Sequence, residues 1–196
     1  FRSIDKNGKE IVHPIYSEIY IPNPEKDVFI CNIDDSGYEI INSKSEKLFE
    51  NYNDVCALGT SDGISDLEKE VLRFQKDGKY GLLNFNGDVI AEAEYDLIES
   101  LNAKPGKLLV KKDGKYGVLD SNGKLVIPIE YLSVEGDNYS TEKDGYTKSG
   151  YIVKKQTMQG VVFGYISADG RELLKTEYEY INRISNYKDK ENIYLV

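Results

Sequence analysis

One histidine, two cysteines and 34 carboxylates are the residues of this 196-residue chain that could do chemistry. His13 stands in Ile11-Val12-His13-Pro14. It has no second histidine and no cysteine pair beside it, so the spacing of a zinc set is missing. A Ser-His-Asp triad would need a nucleophile elbow, and no Gly-x-Ser-x-Gly is present. Cys31 and Cys56 each lie in an apolar run. The expectation is two buried free thiols on strands, with a disulfide as the alternative. Asp34-Asp35 reads as a hairpin turn, and Asp62, Asp66 and Glu68 fall in an insertion over 57–69. Hard cations such as Ca²⁺ take carboxylate oxygens, but this spacing is not that of an EF-hand loop, and a solvated charged loop is the expectation. Glycoside hydrolysis needs two facing carboxylates, and nothing singles out a pair among so many acids. Gly78-Lys79-Tyr80-Gly81 and Gly114-Lys115-Tyr116-Gly117 have the GxxG spacing of a nucleotide clamp, yet both lie between strand-like runs of an acidic chain. The expectation is therefore a chain that is not an enzyme, with no catalytic residue, metal or cofactor.

The bulk numbers narrow the class further. The formal net charge of −9 opposes non-specific nucleic-acid binding, which needs a basic footprint. No run of about 18 apolar residues exists, so no membrane-inserted helix is expected. The 40% hydrophobic content is enough for a core. The sequence opens at Phe1 with no charged-then-apolar leader, and a segment of a longer chain is expected.

The elements that would hold any site come from a repeat. Lys76-Asp77-Gly78-Lys79-Tyr80-Gly81-Leu82-Leu83-Asn84 returns 36 residues later as Lys112-Asp113-Gly114-Lys115-Tyr116-Gly117-Val118-Leu119-Asp120. Asn86-Gly87 matches Asn122-Gly123, and a tyrosine recurs at 16, 52, 95, 131 and 178. Asp-Gly and Asn-Gly between apolar runs signal hairpins through type I′ turns. Pro128 ends or edges its strand. Each unit reads as a three-stranded antiparallel meander with a short fourth stretch such as Tyr131 to Val134. The units fall at 1–22 (partial), 28–56, 70–100, 107–135 and 150–185, with 193–196 starting another. One helical candidate stands out, Ile64 to Phe74, with Ser65 or Asp66 as N-cap. The fold class is all-β: tandem repeats of about 36 residues stacked as an open curved array, with a closed propeller-like ring as the alternative. Pairing the last strand with the opening segment would close such a ring. The rings at fixed phase (Tyr80, Tyr116, Phe163, Tyr95, Tyr131, Tyr178) are expected to be buried and laddered between units, and the glycine after the aromatic to admit a close neighbour.

These residues resemble the bacterial WG (KWG) repeat: strand, Asp-Gly-Lys, aromatic-Gly, two apolars, then Asn-Gly, apolars, and Tyr-x-x-Ile. Here Tyr80, Tyr116 and Phe163 replace the usual Trp. The glycine is kept at Gly81, Gly117 and Gly164 but is Glu39 and Arg2 in the early copies, which are expected to be distorted. The resemblance implies a β-repeat fold in bacterial proteins, often at the cell envelope or outside it, and no catalytic residues.

Insertions that break a repeat period map to loops on the binding face. Residues 57–69 and 136–149 do so. Tyr139, Tyr146 and Tyr151 lie off the repeat phase and are expected to be exposed binding residues. The expected function is a protein-binding or scaffolding module whose acidity favours a basic partner. The alternative is polysaccharide or cell-wall recognition by exposed tyrosines, and a hydrolase with paired carboxylates comes third.

Overall fold

The computed structural model describes residues 3–4, 7–8, 10–12, 15–33, 37–59, 67–101, 106–141, 145–184 and 193–196. Among them every regular element is a strand, and strand order within each sheet follows the sequence. The short ladder β1 (Ser3–Ile4) with β2 (Glu10–Val12) comes first. The first sheet is β3 (Glu18–Tyr20), β4 (Phe29–Ile33) and β5 (Gly37–Ile41). The second is β6 (Asn53–Gly59), β7 (Leu67–Lys76), β8 (Lys79–Asn84) and β9 (Val89–Tyr95). The third is β10 (Leu97–Ser100), β11 (Lys107–Lys112), β12 (Lys115–Asp120) and β13 (Leu125–Tyr131). The fourth is β14 (Ser133–Thr141), β15 (Gly145–Thr157), β16 (Gly160–Ser167) and β17 (Glu172–Tyr178). A last ladder joins β18 (Asn182–Ile184) to β19 (Ile193–Leu195). Among the described residues the two terminal ladders are separate sheets, as in an open array, and no strand pairing joins them into a ring.

The unit boundary differs from the sequence reading. The stretch after each repeat tyrosine does not close its own meander. The chain turns at one residue, Asp96 or Leu132, and Leu97 or Ser133 starts the next sheet. The Asp96 and Leu132 amides then donate to Lys111 and Lys154 carbonyls of that next sheet. The helical candidate is also overturned: from Leu67 onward it is strand β7. Its apolar residues serve two opposite faces, Leu72 and Phe74 one side and Val71 the other, whereas a helix here would bury one stripe.

Turn chemistry explains the repeat's punctuation. Asp77-Gly78 and Asp113-Gly114 take φ of 51° and 77°, and 51° and 76°, as a type I′ turn demands. The Asn-Gly turns work differently, because only the glycine has positive φ there. Asn84 Oδ1 accepts the amides of Asn86 and Asp88, and Asp120 Oδ1 accepts those of Asn122 and Lys124. The Asx side chain thus shapes the turn. Asn42 does the same for Lys44 and Glu46, with Ser45 at φ 62° where the other units have glycine.

The second and third sheets are layers with two buried faces. Leu83 packs toward the first sheet with Val28, Ile30 and Ile40, while Leu82 packs toward the third with Ile98, Leu108 and Val110. One repeat later, Leu119 faces back and Val118 faces forward to Val134, Tyr151 and Val153. The glycine after the aromatic admits the last strand of its own sheet. A Cβ on Gly117 would lie 2.7 Å from Ile127 O, and one on Gly81 would lie 2.5 Å from the Phe74 ring and 2.7 Å from Ala91 O. The last strand bulges at this level in all three complete sheets. The repeat-phase rings do not all bury. Tyr95 and Tyr131 do, but Tyr80, Tyr116 and Phe163 are half-buried, each beneath a cation: Arg73 at 4.5 Å, Lys111 at 5.2 Å and Lys154 at 5.5 Å. They register across their own sheet (Tyr80 with Tyr95, Tyr116 with Tyr131, Phe163 with Tyr178).

Candidate functional site

Both insertions enter at one structural position, the connection between the first and second strands of a sheet. The insertion over 57–69 joins β6 to β7, and that over 136–149 lengthens β14 and β15 into a long hairpin arm. Expected as loops, the described parts of the second are strand. Tyr139 pairs with Thr147 and Tyr146 with Ser140 along the arm's backbone; their side chains lie outside the described residues. Tyr151 is fully buried, not exposed, which corrects the expectation for it. Lys154 opposite Phe163 corresponds to Lys111 opposite Tyr116, so Tyr151 occupies the place of the buried Leu108. The alternation Tyr151-x-Val153, matching Leu108-x-Val110, is the signal that would have placed it in the core. His13, Asp34-Asp35, Asp62 and Asp66 also lie outside the described residues.

Two polar residues that sequence reasoning passed over or misplaced pin neighbouring connections together. Asn23 Nδ2 donates to the Lys69 carbonyl at 2.7 Å. The buried Glu68, read from sequence as part of a solvated loop, accepts the Gly106 amide at 2.6 Å and the Glu70 amide at 3.1 Å. Such charge-assisted bonds satisfy a carboxylate taken out of water. Cys31 and Cys56 are free thiols. Burial, reinforced by the Glu39 charge, pushes the Cys31 thiol up to about 11. Cys56 is raised by burial and opposed by Arg73, whose Nη2 donates to its Sγ at 3.3 Å. Among the described residues no three His, Cys, Asp or Glu side chains converge as a metal set.

A groove of about 630 Å³ lies between β5 and residues 47–55. Its walls carry Tyr38, Phe49 and Tyr52 together with Glu39, Glu50 and Asp54. Lys47 also lines it, with Nζ 3.2 Å from Glu39 Oε2. Tyr38 is 56% exposed, and Glu39 Oε1 accepts the Tyr16 hydroxyl at 2.9 Å. Burial, and then that bond to Glu39, push Tyr16 up to about 12. Backbone strain concentrates here. Phe49 and Asp54, both lining the groove, have φ of 59° and 48°, and neither sits in an Asp-Gly turn. Non-glycine residues pay such conformations only when their surroundings hold them, often at functional sites. Here the Phe49 carbonyl accepts the Tyr52 amide at 3.0 Å, and the Tyr52 ring rests on Phe74 with centroids 4.5 Å apart.

Against known proteins, three stretches of the chain, 4–24, 80–116 and 116–137, match the family model described as WG containing repeat. The fourth sheet, most of which lies beyond those stretches, builds the same four-stranded meander. No curated protein and no solved structure matches the chain.

Proposed function

We propose that this chain, three stretches of which match the WG-containing repeat model, is a non-catalytic repeat module that binds a protein partner through the groove beside β5. The observation that carries this reading is the groove's composition. Three aromatic rings stand among three carboxylates, at the place where the first sheet departs from its siblings. Aromatic residues supply contact area at low entropic cost and are enriched in interfaces. The carboxylates, on a chain of net charge −9, favour a basic partner and speed its encounter.

The test is affinity capture on the immobilised chain, in parallel from a cell extract and from a purified envelope polysaccharide. Retention of a basic protein, released by salt and weakened by Glu50→Lys with Asp54→Lys, is the expected result. Polysaccharide held against salt but displaced by free sugar would replace this reading with carbohydrate recognition, for which Tyr20, Tyr38 and Tyr180 are, among the described residues, exposed rings to test. Retention of neither would leave a spacer role and overturn the proposal.

A further inference from the structure

Resting on that reading, we propose that the open edge of β5 binds an extended peptide bearing a lysine or arginine, added to the first sheet as an antiparallel strand. The sibling sheets show what covers this edge. In each, the third strand pairs with a fourth: Tyr80 with Tyr95, Tyr116 with Tyr131 and Phe163 with Tyr178. In the first sheet the corresponding Tyr38 and Tyr52 do not pair. Beyond β4, β5 meets only the single bridge from Ile41 to Lys47 among the described residues. The Leu48 amide donates to the Ile40 carbonyl at 2.8 Å, and then the chain leaves the sheet through the strained Phe49.

The cause is one residue. Where the siblings have Gly81, Gly117 and Gly164, the first sheet has Glu39. A Cβ at those glycines would lie 2.7 Å from Ala91 O, 2.7 Å from Ile127 O and 2.8 Å from Thr176 Cα, all on the bulged fourth strand. In the fourth sheet the Thr176 hydroxyl fills the space over Gly164. In the first sheet the Glu39 carboxylate takes the hydroxyl of Tyr16 instead. Glu39 therefore holds the chain's own bulged strand away from β5. A regular strand with no bulge does not press on that position.

The edge also has the bonds to offer. In an antiparallel ladder both backbone groups of one residue point to the same side, alternating along the strand. The Ile40 carbonyl faces the open side, since it receives Leu48, so the Tyr38 N–H and C=O face that side too. Strand addition at such an edge takes affinity from backbone bonds and specificity from side-chain pockets. Here the pocket holds Glu39, Glu50 and Asp54 between Tyr38, Phe49 and Tyr52, and its cation, Lys47, is already engaged with Glu39. That surrounding accepts a cationic side chain, by charge and by ring faces.

The test is selection of displayed random decapeptides on the full chain, followed by synthesis of the enriched sequence. The expected sequence alternates apolar and basic residues. Its binding protects the amides of Tyr38 and Ile40, which face the open side, from hydrogen exchange. N-methylation of alternate peptide amides weakens it about tenfold or more. Glu39→Gly, which lets residues 47–52 close over β5, abolishes it while urea unfolding shows the chain still folded; Glu50→Lys with Asp54→Lys is the second variant and weakens it at low salt. Enrichment of nothing, of acidic peptides, or of peptides indifferent to N-methylation overturns strand addition. A protein captured from extract whose retention survives Glu39→Gly keeps the binding role and removes only this mode of it.

Discussion

Glycine at 81, 117 and 164 is a steric requirement of the strand beside it. Gly117→Ala would push a methyl to 2.7 Å from Ile127 O, and backbone cannot retreat as a flexible side chain would. The expected loss is about 1–3 kcal/mol in urea unfolding, the usual range for overpacking. Ser45 presents the opposite case. It holds φ 62° in a turn whose counterparts are Gly87, Gly123 and Gly170 at 90°, 76° and 90°. Relief of about 1–2 kcal/mol of left-handed strain exceeds the unfolded-state entropy that glycine adds, so Ser45→Gly is expected to raise the urea midpoint. The buried acids set the alkaline limit. Cys31 keeps its proton to about 11 against an ordinary 9.0, and Tyr16 to about 12 against 10.0. As pH rises the unfolded chain loses these protons first, so their contribution is complete below about pH 9 and is lost from there through 12. Unfolding midpoints measured from pH 8 to 11 should fall across that window, and Cys31 should resist thiol reagents at pH 8 until the chain unfolds.

At the scale of the element, two kinds of connection behave differently. Single residues, Asp96 and Leu132, join the second sheet to the third and the third to the fourth. The first-to-second-strand connections vary from 101–106 to the long arm of β14 and β15. Two glycines inserted after Asp96 are expected to cost several times more than the same pair in 101–106. There the cost is that of loop closure, under about 1 kcal/mol, and paired urea titrations would measure the difference. Much of this was legible in the sequence. Asp77-Gly78 and Asp113-Gly114 announce their hairpins because few other dipeptides tolerate that backbone, and Glu39 in a glycine's place announced a distorted copy. The sheet boundary was not legible, since Tyr131 to Val134 has the same alternation whichever sheet receives it. The burial of Tyr151 was missed because the insertion broke the count from the preceding unit, although its register with Phe163's strand was intact. The groove depends on where 47–52 goes once it cannot dock, and that is decided by tertiary packing around Phe49 and Tyr52 rather than by local propensity.

For the whole molecule, the layers partition the core into interfaces that share sheets but few side chains. Leu83→Ala would open the packing between the first and second sheets, and Leu82→Ala that between the second and third, each at about 2–5 kcal/mol. Hydrogen exchange should resolve the two, with protection lost mainly in β4 and β5 for the former and in β10 and β11 for the latter; loss spread evenly over the chain in both would contradict the layered core. Neighbour-only coupling of this kind is the rule for stacked repeats. It has a mechanical corollary. A chain tethered at both ends and placed under tension would not give way in one event. It would lengthen in increments, one sheet peeling from its neighbour while the others hold, and shorten again as each sheet found the face it had left.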